Sequence, residues 1–370
     1  MDRLFQTPIS TSNLYTPDRN RLRQILDSAF DRDGNLVIGS LVSRLETQLC
    51  DYHQAKYCVT FSTGFWALVA AVQIQSLPGR SEVIIPSLTY RRLADVLHWA
   101  GKIPVMVDVD RETLAVCCDA VTAAVSDETA LILAVHPIVN CCDVIRLLSV
   151  SEQRGVPLIF DAVESVHETI NSRRIGSFGV GEVFSFHASK LINGCEGGYV
   201  CTNDRKFRDQ LVHFKSDPGT GINGVLCDGH AALAIAGLEE IETNLAHNRI
   251  LYETYQHELR DFPGIRLLRF DESEQTSFKN VVAEVTDDFG MDRDDLVSRL
   301  NVDGILARAY YYPALHAKTF DYDVKRMQVP IAHDAMHRFI NLPCGQMVSV
   351  GDVVSTCRQL KSLHIANKAA

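Results

Sequence analysis

Residues 183–190, Val-Phe-Ser-Phe-His-Ala-Ser-Lys, and the glycine-rich segment 194–198 that follows them decide the fold and the chemistry expected of this chain. The apolar start of this stretch predicts a buried strand that ends shortly before Lys190. Residues 156–160, Val-Pro-Leu-Ile-Phe, predict a second buried strand that ends in Asp161. A lysine can hold a carbonyl cofactor as a Schiff base, and a carboxylate can keep a pyridine nitrogen protonated. The pair therefore indicates pyridoxal 5'-phosphate (PLP) chemistry.

Short apolar runs alternate with helical patterns on both sides of this stretch. Continuously apolar runs are typical of strands buried on both faces, so we predict an α/β fold with a large, mainly parallel sheet flanked by helices. The predicted strands are 57–61, 82–85, 104–109, 131–135, 158–160, 183–186 and 197–202, and the predicted helices are 64–73, 93–100, 118–125 and 145–154.

A long, partly interrupted helix is predicted over residues 228–259, and it would connect the large sheet to a second unit. In that unit we predict strands at 281–285 and 306–312 and helices at 292–300 and 353–363. We therefore expect a large PLP-binding domain over residues 1–245 and a smaller C-terminal α/β domain over residues 246–370.

Composition excludes several classes of protein. The net charge of -10 argues against a nucleic-acid partner, because phosphate binding needs a basic surface. Eleven cysteines without a signal peptide indicate a reducing cytoplasm rather than a disulfide framework. The adjacent pairs Cys117–Cys118 and Cys141–Cys142 lack the spacing of a zinc site, so we predict no metal. No run approaches the roughly 20 apolar residues that a membrane helix requires.

Lys190 and Asp161 each have a plainer interpretation. An isolated lysine after a strand is ordinarily a surface residue, although Lys190 follows small and hydroxyl side chains. Asp161 also fits the N-cap of a helix whose first turn would be residues 162–164. Taken alone, neither interpretation of Asp161 is favoured over the other.

A phosphate site is predicted where the strand 57–61 runs into a Ser-Thr-Gly turn and an apolar helix. Backbone N–H groups at a helix N-terminus attract anions, and Ser62 or Thr63 would add hydroxyl contacts. Ordinary helix capping by these residues is the alternative. Tyr90 follows another core strand, where it would either stack on a pyridine ring or pack in the core.

Secondary candidates are Glu164, His187 and His136. Arg91 and Arg92 would contact an anionic substrate if the start of their helix faces the cleft.

Four separated segments together resemble the DegT/DnrJ/EryC-type sugar aminotransferases, which are fold-type I PLP-dependent enzymes. The resemblance runs from residues 39–46 to 341–343, and it is most specific at residues 184–190 with Glu196-Gly197-Gly198. It implies that Lys190 forms the internal aldimine and moves the proton between the amino acid and the cofactor. It also implies that Asp161 pairs with the pyridine nitrogen.

The same resemblance assigns further residues to the cofactor. Glu164 would lie near its phenolic oxygen, Tyr90 would stack on its ring, and Ser185 would bind its phosphate beside Ser62, Thr63, Gly64 and Phe65. Asn223 matches an asparagine that reaches the phosphate of the neighbouring subunit, which implies a homodimer with shared active sites. The chain departs from the family at Phe65, where a threonine is usual, and at Val225, where a basic residue is common.

The activity implied is the transfer of an amino group from an amino acid, with glutamate expected, to a nucleotide-linked keto sugar. Three alternatives stay open: another PLP reaction such as dehydration, decarboxylation or carbon–carbon bond formation, a non-sugar acceptor such as a cyclitol, and a regulator or scaffold that only retains the fold. In the sugar dehydratase branch a histidine replaces the lysine, so Lys190 argues against that branch.

Overall fold

The computed structural model describes residues 3–10, 15–217, 219 and 222–368. Within this part of the chain the strands are β1 (Ile9–Ser10), β2 (Tyr57–Phe61), β3 (Glu82–Pro86), β4 (Ile103–Val107), β5 (Thr129–Val135), β6 (Leu158–Asp161), β7 (Thr169–Ile170), β8 (Arg173–Arg174), β9 (Gly181–Ser185), β10 (Gly198–Thr202), β11 (Ile265–Leu267), β12 (Val281–Val285), β13 (Ile305–Leu306), β14 (Arg308–Ala309), β15 (Lys325–Arg326) and β16 (Phe339–Leu342).

The helices of the same residues are α1 (Arg19–Asp27), α2 (Ser40–His53), α3 (Gly64–Gln75), α4 (Leu93–Trp99), α5 (Cys118–Ala124), α6 (Val144–Arg154), α7 (Arg205–Ser216), α8 (Asp228–Glu239), α9 (Ile241–Glu258), α10 (Arg293–Val302), α11 (Pro330–Ala335) and α12 (Val350–Lys368). None of the helices in these ranges is both long and apolar enough to cross a membrane.

The large sheet has the strand order β15-β4-β3-β5-β6-β9-β10-β2 in the described residues. All neighbouring strands from β15 to β9 are parallel, and β10 is antiparallel to both β9 and β2. Every residue of β3, β5, β6 and β10 is buried, because the sheet is covered by helices on both faces. The predicted α/β fold with a mainly parallel sheet is confirmed.

A second, antiparallel sheet has the order β11-β12-β16-β14. Its buried strand β12 and helices α9, α10 and α12 enclose an apolar core of their own, which includes Leu251, Leu296 and Val353. The helix predicted over 228–259 is broken at Glu240, where α8 ends and α9 begins. The edge strand β15 joins the large sheet although it follows residue 245 by many residues, and the domain division at 245 stays a prediction.

The strand predicted over 306–312 is confirmed only in part, because it is interrupted at Ala307 and ends at Ala309. The chain passes from β13, which pairs with β1, through Ala307 to β14, which pairs with β16. It then leaves the sheet, because Tyr311 has a φ of 40° and Pro313 has no N–H to donate to a neighbouring strand. Alternation of apolar residues alone does not reveal such a switch between sheets.

Candidate active site

The sequence-predicted site residues lie along one edge of the large sheet. Strands β2 and β9 run in the same direction, since both are antiparallel to β10, and β9 is parallel to β6. The carboxyl ends of these strands carry Ser62, Asp161 and Ser185, and Lys190 follows the last of them. Ligands of open α/β sheets bind at this edge, because loops and helix N-termini converge there.

Lys190 and Glu164 form an ion pair at the centre of this edge. The other carboxylate oxygen of Glu164 accepts a hydrogen bond from Lys279 Nζ at 2.7 Å. One carboxylate is therefore shared by two ammonium groups, and all three side chains are largely buried. The cluster carries a net positive charge, which favours the binding of an anion nearby.

The electrostatics of this cluster follow from burial and from the two lysines. Burial alone would raise the pKa of Glu164, but Lys190 and Lys279 outweigh it and hold the pKa at about 2. Burial lowers the pKa of Lys279, an effect that the Glu164 carboxylate opposes. Glu164 is consequently ionised throughout the physiological pH range.

Asp161 lies at the end of β6 and is 1% exposed. Burial raises the pKa of its carboxyl to about 6, although the Val163 N–H and the charge of Lys190 oppose the shift. The Val163 N–H donates to Asp161 Oδ1 at 3.2 Å, but no helix follows, so the N-cap interpretation is wrong. A buried carboxyl next to a lysine is suited to pairing with a cationic group of a ligand.

The predicted phosphate turn is compact and leads directly into α3. Thr63 caps this helix, because its side-chain oxygen accepts the N–H of Trp66 at 3.1 Å. A Cβ atom added to Gly64 would lie 3.3 Å from Ser185 Oγ, so this turn contacts the end of β9. A Cβ atom on Gly198 would lie 2.5 Å from Gly64 Cα. Gly64, Ser185 and Gly198 thus bring two backbone segments close together at the helix N-terminus.

The Gly198→Ala variant is expected to displace this turn, because its new methyl group meets backbone and not a flexible side chain. We expect PLP affinity to fall at least about tenfold, together with a loss of stability of roughly 1–3 kcal/mol from overpacking. Titration of the apo-protein with PLP and thermal melting measure both. Gly229→Ala is the matched control, since Gly229 lies in α8 and its added Cβ would contact only Cys227 Sγ, at 3.9 Å. Equal PLP affinities of the two variants would contradict the packing argument.

A cavity of about 260 Å³ adjoins the lysine cluster. It is lined by Tyr90, Arg91, Glu164, Lys279 and Tyr311, among others. Tyr90 is 41% exposed, so core packing does not account for it, and its placement agrees with the predicted ring contact. Burial raises the pKa of Tyr311 well above its usual value.

The two arginines after Tyr90 differ in their surroundings. Arg91 lines the cavity, whereas the guanidinium of Arg92 lies over the ring of Phe65 at 4.8 Å and approaches Asp95 at 3.4 Å. Phe65, where the family commonly has a threonine, is half-buried and packs edge-on against Trp66. Its ring offers no hydrogen bond to a phosphate, so a phosphate at this turn would depend on backbone groups and on Ser62 and Ser185.

Asn223 is exposed. It lies beside the predicted phosphate turn of its own chain, because the carbonyl of the next residue, Gly224, accepts a hydrogen bond from the Ser62 N–H. His187 is also exposed and contacts Ser189 Oγ at 2.9 Å. His136 is buried, and its ring stacks on Phe160 behind β6, away from the cleft. The structure therefore supports His136 as a core residue.

Sequence reasoning missed Lys279. It lies two residues before β12, and its partner Glu164 is 115 positions away in the chain. A lysine and an asparagine before an apolar run are typical of any loop that leads into a strand, so this pattern does not indicate a functional site. The signal that could have identified Lys279 is its position at the start of a buried strand, where a charged residue is expected to have a partner.

The Lys279→Met variant removes one of the two cations that share Glu164. The pKa of Glu164 is expected to rise, because one of the two positive charges that lower it is gone. The carboxylate then pairs with Lys190 alone, and this tighter ion pair should slow the reaction of Lys190 with PLP at pH 7 by about tenfold, the effect of roughly 1.4 kcal/mol. Visible absorbance of the PLP linkage from pH 6 to pH 9 measures this change. Lys279→Arg keeps the charge, so identical pH curves for the two variants would refute the electrostatic explanation.

A sequence profile described as the DegT/DnrJ/EryC1/StrS aminotransferase family matches residues 18–361. The GDP-perosamine synthase of Vibrio cholerae is 26% identical over 367 residues, 96% of this chain and 98% of that protein. The dTDP-4-amino-4,6-dideoxy-D-glucose transaminase of Shigella dysenteriae is 28% identical over 335 residues, 87% of this chain and 91% of that protein.

Among solved structures, that of DesI in the presence of its TDP-sugar product is similar to this chain with a TM-score of 0.88 and 26% identity. The match covers 99% of this chain and 94% of DesI. The similarity thus includes both sheets and the edge where the lysine cluster lies.

Proposed function

Because the chain belongs to the DegT/DnrJ/EryC1/StrS aminotransferase family, we propose that it transfers the amino group of an amino acid, with glutamate as the donor, to a nucleotide-linked keto sugar. The observation that carries this proposal is the placement of Lys190 between Glu164 and the buried Asp161 at the carboxyl edge of the sheet. Relatives named for GDP-perosamine and for a dTDP-linked amino sugar support a nucleotide sugar as the acceptor.

The cofactor of this family is PLP, and the residues of this chain fit it. A Cβ on Gly198 would collide with Gly64, and a Cβ on Gly64 would crowd Ser185, which is the close packing expected where backbone N–H groups hold a phosphate. Ser62, Gly64 and Ser185 would hold the phosphate, Tyr90 the ring face, and Asp161 the pyridine nitrogen. When bound, PLP supplies an electron sink for the amino acid Cα.

The protein's own side chains would supply proton transfer and orientation. Lys190 Nζ accepts and returns a proton at the substrate carbon, a role that requires it to alternate between charged and neutral forms. Glu164, ionised and anchored by Lys279, would hold that nitrogen in position at the edge of the cavity. The anionic form of Asp161 favours a protonated pyridine nitrogen.

We further propose a homodimer in which Asn223 contacts the phosphate of the neighbouring subunit. Exposure of Asn223 supports this arrangement, because an exposed side chain can contact another subunit. A cytoplasmic location is supported by eleven free cysteines, which are typical of a reducing compartment.

The decisive experiment supplies the PLP-loaded protein with isotope-labelled glutamate and, in turn, GDP-4-keto-6-deoxymannose and dTDP-4-keto-6-deoxyglucose. Labelled nitrogen in the sugar product and parallel initial-rate plots are the expected results, since the amino group is carried on the enzyme between two half-reactions. Conversion of a keto sugar to a product without nitrogen would instead establish another PLP reaction. Conversion of neither sugar would exclude these two acceptors and overturn the nucleotide-sugar assignment.

A further inference from the structure

Two asparagine side chains that line the cavity have unsatisfied amide atoms. Asn280 is 8% exposed, and its Nδ2 atom is buried without a hydrogen-bond partner in the described part of the chain. The Oδ1 atom of Asn341 is likewise buried and unpaired in those residues. Leaving such a group unpaired costs about 1–3 kcal/mol. Two such atoms that border one cavity therefore indicate a partner that occupies it.

The two amides lie near each other at one end of the second sheet. Asn341 on β16 pairs with Val282 on β12, and Asn280 precedes Val282 by two residues, one residue before β12 begins. Both line the cavity that contains Lys279, so their free atoms border one ligand volume.

The chemistry of the free atoms selects the kind of group that would satisfy them. One free atom is an amide nitrogen, a donor, and the other is an amide oxygen, an acceptor. A carboxylate or a phosphate oxygen accepts only, and an ammonium group donates only, so each of them would leave one atom unpaired. A hydroxyl group both donates and accepts, so a sugar hydroxyl or a pair of neighbouring hydroxyls would satisfy both atoms.

We propose that Asn280 and Asn341 form a hydroxyl-binding subsite for the sugar ring of the acceptor, an inference that rests on the proposed function. Arg308 supports this assignment, because it lies directly opposite Asn341 on β14 and lines the same cavity with an exposed side chain. A cation beside a hydroxyl subsite matches an acceptor that carries both hydroxyls and phosphate groups. The two amides would bind the hydroxyls of the sugar, while the lysine cluster would lie near the reacting atoms.

The test uses the PLP-loaded full chain and the variants Asn280→Leu and Asn341→Leu, which keep the approximate volume and remove the amide. For the nucleotide keto sugar that the wild-type protein converts, we expect KM to rise about 5- to 150-fold, the range that corresponds to 1–3 kcal/mol. The rate of the glutamate half-reaction, followed by the loss of PLP absorbance, should be unchanged. Asn301→Leu is the matched control, because Asn301 also has an unpaired buried Oδ1 but lies in α10, outside the cavity lining.

The possible outcomes distinguish a failure of the hydroxyl subsite from a failure of the proposed function. An unchanged KM in both variants, with wild-type turnover intact, would overturn the subsite and leave the proposed function standing. Absence of turnover by the wild-type protein with either keto sugar would overturn the proposed function and the subsite with it. The apo-proteins add a measurement without substrate: the variants should melt no lower than wild type, since they lose no hydrogen bond, and a clear fall in Tm of both would show that the amides are structural.

Discussion

Replacing Lys190 by alanine is expected to abolish the visible absorbance band that develops when PLP is added, and to reduce transamination at least about 10⁴-fold. The loss is large because the variant lacks both the amine that holds the cofactor and the group that moves the proton, and general acid–base catalysis alone contributes up to about 10⁴. Absorbance titration and single-turnover kinetics with glutamate measure the two effects separately.

Stability is not expected to change much in this variant. Glu164 keeps its contact with Lys279 at 2.7 Å, so no buried carboxylate is left without a cation. Lys102→Ala is the matched control: Lys102 Nζ binds the Arg80 carbonyl at 2.7 Å, before β4 and remote from the site, and its loss should leave the band intact.

Lys279 makes a sharper test possible, since it is a second largely buried amine that pairs with the same Glu164 carboxylate. Reduction of the PLP-loaded protein with borohydride followed by peptide mapping should locate the cofactor on Lys190. A band retained in Lys190→Ala, with the label on Lys279, would overturn the assignment of the linkage.

The sequence was sufficient to predict those parts of the site that depend on single strands. Continuous apolar runs identify β6 and β9, and the chemistry of Asp161 and Lys190 follows from their positions at the strand ends. Parallel strands bring such ends to one edge, so their proximity required no knowledge of packing.

The contribution of the second sheet was not predictable in this way. A role in the site can be inferred for Lys279, Asn280 and Asn341 only when β12 and β16 are placed against the edge of the large sheet. The interruption of the strand predicted over 306–312 has the same origin, because the break at Ala307 is set by pairing with β1 and β16 and not by local pattern. Long-range pairing decides these features.

Asp161→Asn is expected to lower transamination by about 10²–10⁴-fold while making the apo-protein more stable at pH 8. The asparagine can still accept the Val163 N–H, but it carries no charge to keep a pyridine nitrogen protonated. Activity with glutamate and the Tm of the apo-protein measure the opposing effects, which exemplify the trade of stability for function.

The pH dependence of apo-protein stability shows whether the charge of Asp161 causes the difference between wild type and Asp161→Asn. Burial raises the pKa of Asp161 to about 6 in the folded apo-protein, against about 4 when unfolded, so the folded state holds the proton more tightly. Stability of the wild-type apo-protein therefore falls as pH rises through this interval, by up to about 3 kcal/mol above pH 6. The asparagine variant lacks this loss, so the two proteins should differ most at pH 8 and little at pH 4.

Cofactor binding should show the complementary trend. The wild-type apo-protein is expected to lose affinity for PLP as pH falls through about 6, because Asp161 then becomes neutral and no longer attracts a protonated ring nitrogen. Asp161→Asn should bind PLP weakly with little dependence on pH between 5 and 8, apart from changes shared with wild type. Asp161→Glu, which keeps the charge on a longer side chain, should restore part of the pH dependence. Parallel affinity curves for wild type and Asp161→Asn would mean that another group titrates, and that the buried carboxylate at the end of β6 serves packing and not the cofactor.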